Sequence, residues 1–381
     1  MENVLHGKRV WVAVSNDLVT DQRVHRACTT LSESGCHVHL VGRLLPQSMP
    51  VVRSYKCSRM RLIFKKTAFF YAEFNVRLFF KLLFSKSDAF YANDTDTLLA
   101  CYMASCIRNK PLFFDAHELF SEVPELVGRH RVQSVWCAIE RWILPKVAAS
   151  VTVSRGVSDE YYRRYGIRMS VVRNLPLSSF GTTIHPATDD SELKTVLYQG
   201  AVNEGRGVRW MIDALEYLPD CRFVVAGVGD LYHELAAYAL SKKWHDRIVF
   251  LGRIEPDRLR QITLKAHLGL ILLENKGLNY YHSFPNRVGD YVHACVPVLA
   301  TAFPELRQVV EQYDLGVLIR EPQQDECYPK TVAEAVRTAL DCYHWDDPES
   351  RLSHFAKARR DLCWDTEKHI LIEAFASMWK F

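Results

Sequence analysis

The chain has 381 residues, which exceeds one ordinary domain and fits two domains of about 150–200 residues. Apolar residues make up 48% of the sequence and charged residues 24%, a composition that excludes a disordered, collagen-like or coiled-coil protein. The formal net charge of +4 is too small to indicate a nucleic-acid-binding protein, so no nucleic-acid partner is expected.

Short runs rich in β-branched and aromatic residues alternate with longer helical patterns along the chain. Most of the short runs are continuously apolar, as in strands of a parallel sheet that helices cover on both faces. The pattern predicts strands at 9–14, 37–41, 89–92, 112–115, 151–153, 170–173, 195–199, 222–226, 248–251, 268–273, 296–300 and 317–319, and helices at 21–34, 95–108, 209–217, 230–241 and 285–294.

Because this alternation occurs twice, we predict an α/β protein with two Rossmann-like, doubly wound parallel-sheet domains. Residues 176–192 are rich in Pro, Ser, Thr, Gly and Asp without periodicity and are interpreted as a linker. We therefore expect one domain at 1–176, a second at 177–362 and a terminal amphipathic helix within 363–381. Such sheets bind ligands at the carboxyl ends of their strands, which predicts a site in a cleft that both domains face.

The cysteine content and the hydropathy of the chain indicate the cellular compartment of the protein. The eleven cysteines form no C-x-x-C pair, are odd in number and lie mostly in apolar runs, which predicts reduced, buried thiols rather than disulfides or a zinc site. The apolar run 10–14 is too short for a secretion signal, and no run reaches the roughly 18–20 apolar residues of a membrane span. We therefore expect a cytoplasmic protein.

In the first half, Asp115, His117 and Glu118 end a buried strand, which predicts a histidine and two carboxylates at the carboxyl edge of the sheet. This position favours a functional role for His117 over a purely structural one. Asp94 and Asp96 form a D-x-D sequence, for which N-capping of the next helix is an adequate explanation. No metal site is predicted, because oxygen-ligated ions need more clustered carboxylates.

Residues 53–86 contain nine Lys or Arg and one Glu among many aromatic residues. A basic, aromatic, amphipathic segment can lie on an anionic membrane surface. A helix packed in the core with solvated lysines explains the same pattern equally well.

A glycine-rich turn between a strand and a helix, Gly200 to Gly207, is a candidate for anion binding. Glycine allows backbone N–H groups to approach an anion, and Arg206 adds a cation that can hold phosphate through two N–H groups. A turn with a solvated arginine is an equal alternative. The next strand leads into Gly227 and Gly229, for which packing and nucleotide contact are equally plausible, since the dinucleotide fingerprint lacks its third glycine.

The most specific string is Ser283-Phe284-Pro285-Asn286, followed by Asp290. Pro285 suits the first turn of a helix, and the amides of Phe284 and Asn286 would then face an anion. Asp290, about one turn later, can accept two hydrogen bonds from a vicinal diol such as ribose. The alternative is a capped helix with an exposed aspartate.

Taken together, these residues resemble the GT-B glycosyltransferases, in particular the retaining family-4 group. The resemblance extends over nearly the whole chain, including the terminal helix, which in that family crosses back onto the first domain. It is carried by Asp21-Gln-Arg23-Val24, Phe114-Asp115-Ala-His117-Glu118-Leu119, Val151-Thr-Val-Ser154, Tyr198-Gln-Gly200, Arg206-Gly207, Ala226-Gly227 with Gly229, Leu251-Gly252-Arg253, Ser283-Phe-Pro-Asn-Arg287 and Asp290-Tyr291.

The resemblance implies transfer of a sugar from a nucleotide-diphosphate donor to a hydroxyl group, with the anomeric configuration retained and without a cofactor or metal. The first domain would bind a glycan or lipid-linked acceptor, and the second would bind the donor. Such an enzyme would build cell-surface polysaccharide or glycolipid on the inner face of the cytoplasmic membrane.

The resemblance also implies roles for individual residues. Arg206 would neutralise the pyrophosphate, and Asp290 would bind the ribose. His117 would reach the donor sugar near its reacting carbon. The remaining donor contacts would come from the amides around Gly200 and from Gly229, Arg253, Ile254, Ser283, Phe284, Pro285 and Asn286.

The sequence departs from the family pattern at several positions. His282 replaces the first of two glutamates eight residues apart, Asp290 replaces the second, and Cys295 replaces the usual glycine after Ala294. Two alternative functions therefore stay open: a nucleotide-sugar epimerase of the same architecture, and a transferase-like binding protein without activity.

Overall fold

The computed structural model describes residues 2–19, 21–46, 48–123, 126, 128–178, 193–322, 327–343 and 348–379. It divides into two compact units, one formed by Met1–Asn174 with Glu367–Phe381 and the other by Leu175–Thr366. The predicted linker lies outside the described residues from residue 179 to residue 192.

The described part of the N-terminal unit contains a seven-stranded parallel sheet in the order β3-β2-β1-β4-β5-β6-β7. Strands β4 and β5 are buried along their whole length, as their continuous apolar sequences predict. The strands are β1 (Arg9–Asp17), β2 (His37–Leu44), β3 (Lys56–Arg61), β4 (Ala89–Asn93), β5 (Leu112–Ala116), β6 (Ala149–Thr152) and β7 (Ser170–Val171).

Two helices of this unit show clear capping residues. Asp21 caps α2 by accepting a hydrogen bond from the backbone N–H of Val24 at 3.1 Å. Gly166 ends α6 in the left-handed conformation that glycine favours. The helices are α1 (Glu2–Leu5), α2 (Gln22–Glu33), α3 (Thr67–Leu83), α4 (Thr95–Arg108), α5 (His130–Ile143) and α6 (Arg155–Tyr165).

The C-terminal unit repeats the same architecture with six described parallel strands in the order β10-β9-β8-β11-β12-β13. The prediction of two doubly wound parallel sheets is confirmed. The strands are β8 (Lys194–Gln199), β9 (Cys221–Ala226), β10 (Ile248–Gly252), β11 (Leu268–Ile271), β12 (Val298–Thr301) and β13 (Gly316–Ile319), and the helices are α7 (Val208–Ala214), α8 (Tyr232–Leu240), α9 (Pro256–Leu264), α10 (Leu278–Tyr281), α11 (Arg287–His293), α12 (Pro304–Tyr313), α13 (Tyr328–Cys342) and α14 (Pro348–Asp361).

Strand β3 is absent from the sequence predictions. Its sequence, KCSRMR, has no apolar run, and only Met60 is buried within it. The strand lies at the edge of its sheet and pairs with β2 alone. Because an edge strand has one neighbour and partial solvent exposure, it carries little of the hydropathy signal that marks central strands.

The last helix, α15 (Trp364–Ala376), packs on the N-terminal sheet from Glu367 onward. Glu367 accepts hydrogen bonds from the backbone N–H and the guanidinium of Arg173, each at 2.8 Å. The buried ring of Phe375 lies 5.2 Å from that of Phe113 and 6.1 Å from that of Tyr91. The contact therefore combines an ion pair with an aromatic cluster.

Two further observations concern membranes and thiols. No helix in the described ranges is long and apolar enough to span a membrane. All eleven cysteines are in the described residues, and all are free thiols. This agrees with the prediction of unpaired cysteines, although three of them are exposed.

We expect Phe375→Ala to destabilise the N-terminal unit by about 3–5 kcal/mol, because it leaves a cavity between α15 and the sheet. Phe84→Ala is the control, since Phe84 is 80% exposed and its removal creates no cavity. Differential scanning calorimetry of the full chain measures both. Equal transition temperatures for the two variants would contradict the packing role of Phe375.

Candidate functional site

In the C-terminal unit, the loops after β8 and β9 meet at the carboxyl edge of the sheet. Gly200 and Gly227 have φ angles of +127° and +146°, which side-chain-bearing residues rarely adopt. A Cβ atom on Gly227 would lie 1.9 Å from the carbonyl oxygen of Gly200. The close approach of these two backbones therefore requires glycine at Gly227.

Gly229 belongs to the same contact. A Cβ atom there would lie 2.3 Å from Oδ1 of Asn203, which also accepts a hydrogen bond from the backbone N–H of Asp230 at 3.2 Å. Of the two interpretations of this glycine, the geometry directly supports the packing role.

Arg206 lies in the loop between β8 and α7, over the ring of Tyr280 at 4.3 Å from the ring centroid. Its Nε atom is buried and has no hydrogen-bond partner within the described part of the chain. The backbone N–H of Glu274 donates to Gly205 at 3.0 Å, and the Tyr280 hydroxyl donates to Glu204 at 3.2 Å. These contacts fix the loop, so Arg206 is held rather than loosely solvated.

The string from Ser283 to Asn286 leads into helix α11, but the helix begins two residues later than predicted. Asn286 is its N-cap and Arg287 its first residue, so Pro285 precedes the helix instead of occupying its first turn. The reason is visible in the backbone: the carbonyl of Pro285 accepts from Val288 at 3.0 Å in a tight turn.

The side chains of this string face different environments. The hydroxyl of Ser283 donates to the carbonyl of Tyr280 at 2.9 Å, which closes the end of α10. Phe284 is buried in the core of the unit, whereas Asn286 is exposed. His282, at the position of the missing glutamate, ends α10 as its C-cap residue.

Asp290 lies on α11 and is tied to the end of β8. Gln199 donates to its Oδ2 atom at 2.8 Å, and the hydroxyl of Thr263 on α9 donates to Gln199 at 2.8 Å. The alternative of a merely exposed aspartate is therefore wrong: Asp290 is half-buried and positioned. A carboxylate can accept up to about four hydrogen bonds, so this position suits recognition of hydroxyl groups.

Arg287 belongs to a string that carries the family resemblance, but the sequence analysis assigns it no role in the site. It is only 6% exposed, and its Nη1 atom donates to the carbonyl of Gln199 at 3.1 Å. Its Nε and Nη2 atoms are buried without a hydrogen-bond partner among the described residues. Nothing in the sequence distinguishes it from a solvated helix arginine, because its burial depends on the packing of α11 against β8.

Two predicted residues follow the neighbouring strand β10. Arg253 is exposed directly after the strand, and Ile254 packs against the core of the unit. The backbone N–H of Gly227 donates to Gly252 at 2.9 Å, which brings the end of β10 to the glycine loops. All these loops therefore lie at one edge of the C-terminal sheet.

In the N-terminal unit, His117 follows β5 and is fixed at several atoms. Its backbone N–H donates to Asp94 Oδ1 at 2.7 Å, and Nε2 lies 3.1 Å from Asn93 Oδ1. Nδ1 lies 3.4 Å from Asp94 Oδ2. Burial lowers the pKa of His117, which keeps the imidazole neutral near pH 7.

Asp115 has a structural partner. The guanidinium of Arg23 contacts its carboxylate at 2.6 Å, and the hydroxyl of Tyr91 donates to it at 2.7 Å. Burial alone would raise the pKa of Asp115, but the charge and hydrogen bonds of Arg23 outweigh it and leave the pKa below its usual value. Asp115 thus stays ionised as the buried counter-ion of Arg23.

Asp94 occupies the N-cap position of helix α4, as the N-capping interpretation predicts, but its side chain makes no capping hydrogen bond. The carboxylate turns to the backbone of His117 instead, and the residue adopts a φ of +57°. Burial and the neighbouring carboxylates of Glu118 and Asp96 raise its pKa well above the usual range. Burial also raises the pKa of Asp96, to about 7, against a hydrogen bond from Ser15.

The described residues contain no group of three or more His, Cys, Asp and Glu side chains arranged to hold a metal ion. The candidate site therefore consists of two separate clusters, one on each sheet, built from arginines, carboxyl groups, glycine turns and a histidine.

Family models match both halves of the chain. A model described as "Glycosyltransferase Family 4" matches residues 21–175, and one described as "Glycosyl transferases group 1" matches residues 193–341. A comparison with curated protein sequences gives no match.

Solved structures share the fold over nearly the full chain. A sucrose-phosphate synthase from Thermosynechococcus elongatus has a TM-score of 0.77 at 15% identity, covering 98% of this chain and 99% of its own. Alr3699/HepE from Anabaena, in complex with UDP-glucose, has a TM-score of 0.74 at 14% identity, covering 97% and 100%. The lipopolysaccharide outer core galactosyltransferase WaaB has a TM-score of 0.67 at 14% identity, covering 97% and 99%.

The raised pKa of Asp96 predicts a pH-dependent stability. Between about pH 4 and pH 7 the folded chain keeps a proton on Asp96 that the unfolded chain has lost, so the free energy of unfolding falls as pH rises through this window. Asp96→Asn removes this ionisation, and we expect it to gain up to about 4 kcal/mol relative to the wild type between pH 4 and pH 8.

Calorimetry at several pH values measures this difference. Asp159→Asn, at a position whose side chain is 75% exposed, is the control and should leave the pH dependence unchanged. Parallel curves for Asp96→Asn and the wild type would contradict the assignment.

Proposed function

Since the chain belongs to the GT-B glycosyltransferases of the family-4 type, we propose that it transfers a hexose from a nucleotide-diphosphate donor to a hydroxyl group. In this proposal the acceptor is a glycan or a lipid-linked glycan, the anomeric configuration is retained, and no metal ion takes part. The product belongs to a cell-surface polysaccharide or glycolipid.

The observation that carries the donor assignment is the pair of arginines around the glycine loop. Arg206 and Arg287 both have buried N–H groups without a hydrogen-bond partner in the described part of the chain. Buried, unpaired donors of a charged group are costly unless a ligand accepts their hydrogen bonds. A pyrophosphate supplies both the negative charge and the acceptor oxygens, and guanidinium groups can bind it in a bidentate manner.

The remaining contacts to the nucleotide-sugar donor are assigned to residues that lie at the same edge of the C-terminal sheet. Asp290, held by Gln199, is assigned to the ribose hydroxyls. Arg253 and Ile254, at the end of β10, are assigned to the base. The loop at Gly200 and the string Ser283 to Asn286 are assigned to phosphate and sugar contacts, while Gly229 supports them through packing.

The proposed transfer needs positioning and charge stabilisation more than a protein nucleophile. The bond between the anomeric carbon and the β-phosphate oxygen breaks, and the acceptor hydroxyl oxygen bonds to that carbon on the same face. The proton of this hydroxyl passes to the departing phosphate. Arg206 stabilises the charge that develops on the phosphate, and the neutral imidazole of His117 contacts the reacting sugar, a role that rests on the family resemblance.

Helix α3 supports the proposal of a peripheral membrane location. Phe70, Phe74, Leu78 and Leu82 are its buried stripe. At about 100° per residue, the exposed residues Phe69, Val76 and Phe80 form a second apolar stripe on the opposite side. The buried stripe of α3 agrees with the interpretation of residues 53–86 as a core-packed helix. The exposed stripe agrees with the interpretation as a segment that lies on a membrane surface. An exposed apolar stripe among basic residues is suited to an anionic membrane surface.

We expect Arg206→Ala to weaken nucleoside-diphosphate binding by about 10–100-fold, because it removes a charge-assisted hydrogen bond to the pyrophosphate. Thermal shift and calorimetric titration with UDP, GDP, ADP and dTDP measure this, with UDP first because the Anabaena structure contains UDP-glucose. Arg209→Ala is the matched control, since Arg209 is exposed and pairs with Glu234 on the surface.

The donor assignment fails if none of the four nucleotides binds, or if Arg206→Ala binds as tightly as the wild type. Incubation with nucleotide sugars separates the alternative functions. Isomerised nucleotide sugar without an acceptor would favour the epimerase. The absence of any donor hydrolysis or transfer would favour an inactive binding protein.

A second prediction concerns the membrane. The wild type should float with phosphatidylglycerol liposomes at low salt, and the double variant Phe69→Ser/Phe80→Ser should not, because it removes the exposed aromatic side chains of α3. Leu240→Ser, at a position that is 71% exposed on the C-terminal unit, is the control. Flotation of the double variant at the wild-type level would exclude α3 as the contact.

A further inference from the structure

The N-terminal unit carries an elongated groove that the proposed donor contacts do not use. It consists of two adjoining cavities of about 410 Å3 and about 510 Å3, each within the size range of small-molecule sites. Arg43 and Lys65 line both cavities. These two cations therefore mark the place where the cavities join.

The first cavity is lined mainly by polar side chains at the ends of β1, β4 and β5. They include Asn16, Asn93 and three carboxyl groups, those of Asp94, Asp96 and Glu118, and the hydroxyl of Ser15 donates to Asp96. Amide and carboxyl groups are the side chains that recognise sugar hydroxyls, because they offer several donors and acceptors in fixed positions.

The second cavity has a different character. Five of its nine lining residues are apolar, namely Leu44, Leu45, Pro46, Leu62 and Phe64, and Arg61 and Ser48 line it besides the two shared cations. The ring of Phe64 lies 5.4 Å from that of Phe69, which belongs to the exposed apolar stripe of α3. The apolar end of the groove is thus continuous with the surface that we assign to the membrane.

The junction of the two cavities is cationic. The guanidinium of Arg43 lies 4.6 Å over the ring of Phe70, and its buried Nε has no hydrogen-bond partner among the residues described. Lys65 is exposed, and Lys66 follows it as the N-cap of α3, whose first turn contains no acidic residue. The positive end of the helix adds to the side-chain charges, so the junction attracts an anion.

Two residues of this groove have a strained backbone. Thr67 and Asp94, which both line the first cavity, have φ angles of +71° and +57°. They lie at the beginnings of α3 and α4, whereas the other described non-glycine residues with positive φ, namely Asn109, Cys295 and Asp314, lie at or just after the C-terminal ends of helices. A β-branched residue such as Thr67 rarely adopts this conformation, and such residues cluster at ligand sites.

We propose that this groove binds the acceptor and that the acceptor is a glycosyl phosphate attached to an apolar chain. The polar, cationic and apolar surfaces follow one another along the groove in the same order as the sugar, the phosphate and the apolar chain in such a molecule. The proposal rests on the proposed glycosyltransferase function and narrows its acceptor. The acceptor's own phosphate does not react: the sugar hydroxyl forms the new glycosidic bond, and its proton leaves with the donor phosphate.

The experiment compares three families of probes, each made with glucose, galactose and N-acetylglucosamine: decyl-linked glycosyl phosphates, free glycosyl phosphates and decyl glycosides without phosphate. Binding to the full chain is measured by calorimetric titration in the presence of the nucleoside diphosphate. We expect at least one decyl-linked phosphate to bind about tenfold more tightly than both matching probes, because only it fills all three parts of the groove.

Lys65→Glu reverses the charge at the junction. It should weaken binding of both phosphate probes about tenfold and leave the decyl glycosides unchanged. Arg131→Glu makes the same change of charge at an exposed position of α5 outside the groove, and should change none of them.

The inference is overturned if decyl glycosides bind as tightly as their phosphates, or if Lys65→Glu and Arg131→Glu have equal effects. Nucleotide binding in the same samples separates this failure from failure of the proposed function. Intact nucleotide binding without a preference for the decyl-linked phosphate refutes only the acceptor class. Loss of the preference together with absence of nucleotide binding in the wild type refutes the proposed function as well.

Discussion

A buried guanidinium group needs acceptors for its hydrogen bonds. Moving its charge out of water costs on the order of several kcal/mol, as for other buried ions, unless the charge is paired. Among the described residues, each unit buries one such arginine beside its sheet. Arg23 is neutralised by Asp115 and also donates to the carbonyl of Val172 at 2.6 Å. Arg287 has the carbonyl of Gln199 and the ring of Tyr198, but no carboxylate partner within the described residues. The fold pairs the first arginine with a carboxylate, whereas the second keeps buried N–H groups that the proposed donor pyrophosphate would accept.

The same constraint shapes the surroundings of Arg287. The end of β8 supplies the Gln199 carbonyl to Arg287 and the Gln199 amide to Asp290, so one residue orients both the cation and the carboxylate. A Cβ atom added to the next residue, Gly200, would lie 3.3 Å from Nη1 of Arg287. Gly227 must be glycine because its backbone packs closely against that of Gly200. The glycine loops are therefore needed for close approach of backbones, which places main-chain groups beside Arg287.

How far the sequence predicts this arrangement depends on the kind of signal. Continuous apolar runs identify the central strands, and strand–helix alternation identifies both sheets. The sequence does not reveal β3, whose polar residues suit an edge, or Arg287, whose burial arises from tertiary packing. Cys295 illustrates the reverse case: it has a φ of +55° just after α11, a conformation that favours the glycine of the family pattern.

Charge is distributed in opposite ways at the two sheets. Around Arg287 the cation is buried and fixed, which suits a pyrophosphate held closely. In the N-terminal groove Asp96 is buried and Asp94 is half-buried, while the lysines at its junction are exposed. Burial raises the pKa of Asp96 to about 7, so near neutral pH this carboxyl group is partly protonated and can donate a hydrogen bond as well as accept one. The raised pKa values of Asp94 and Asp96 lessen the repulsion between these two groups and a nearby phosphate, while Glu118 is the third carboxyl group of the cavity. In the proposed acceptor groove, this is the condition for sugar recognition and phosphate binding side by side.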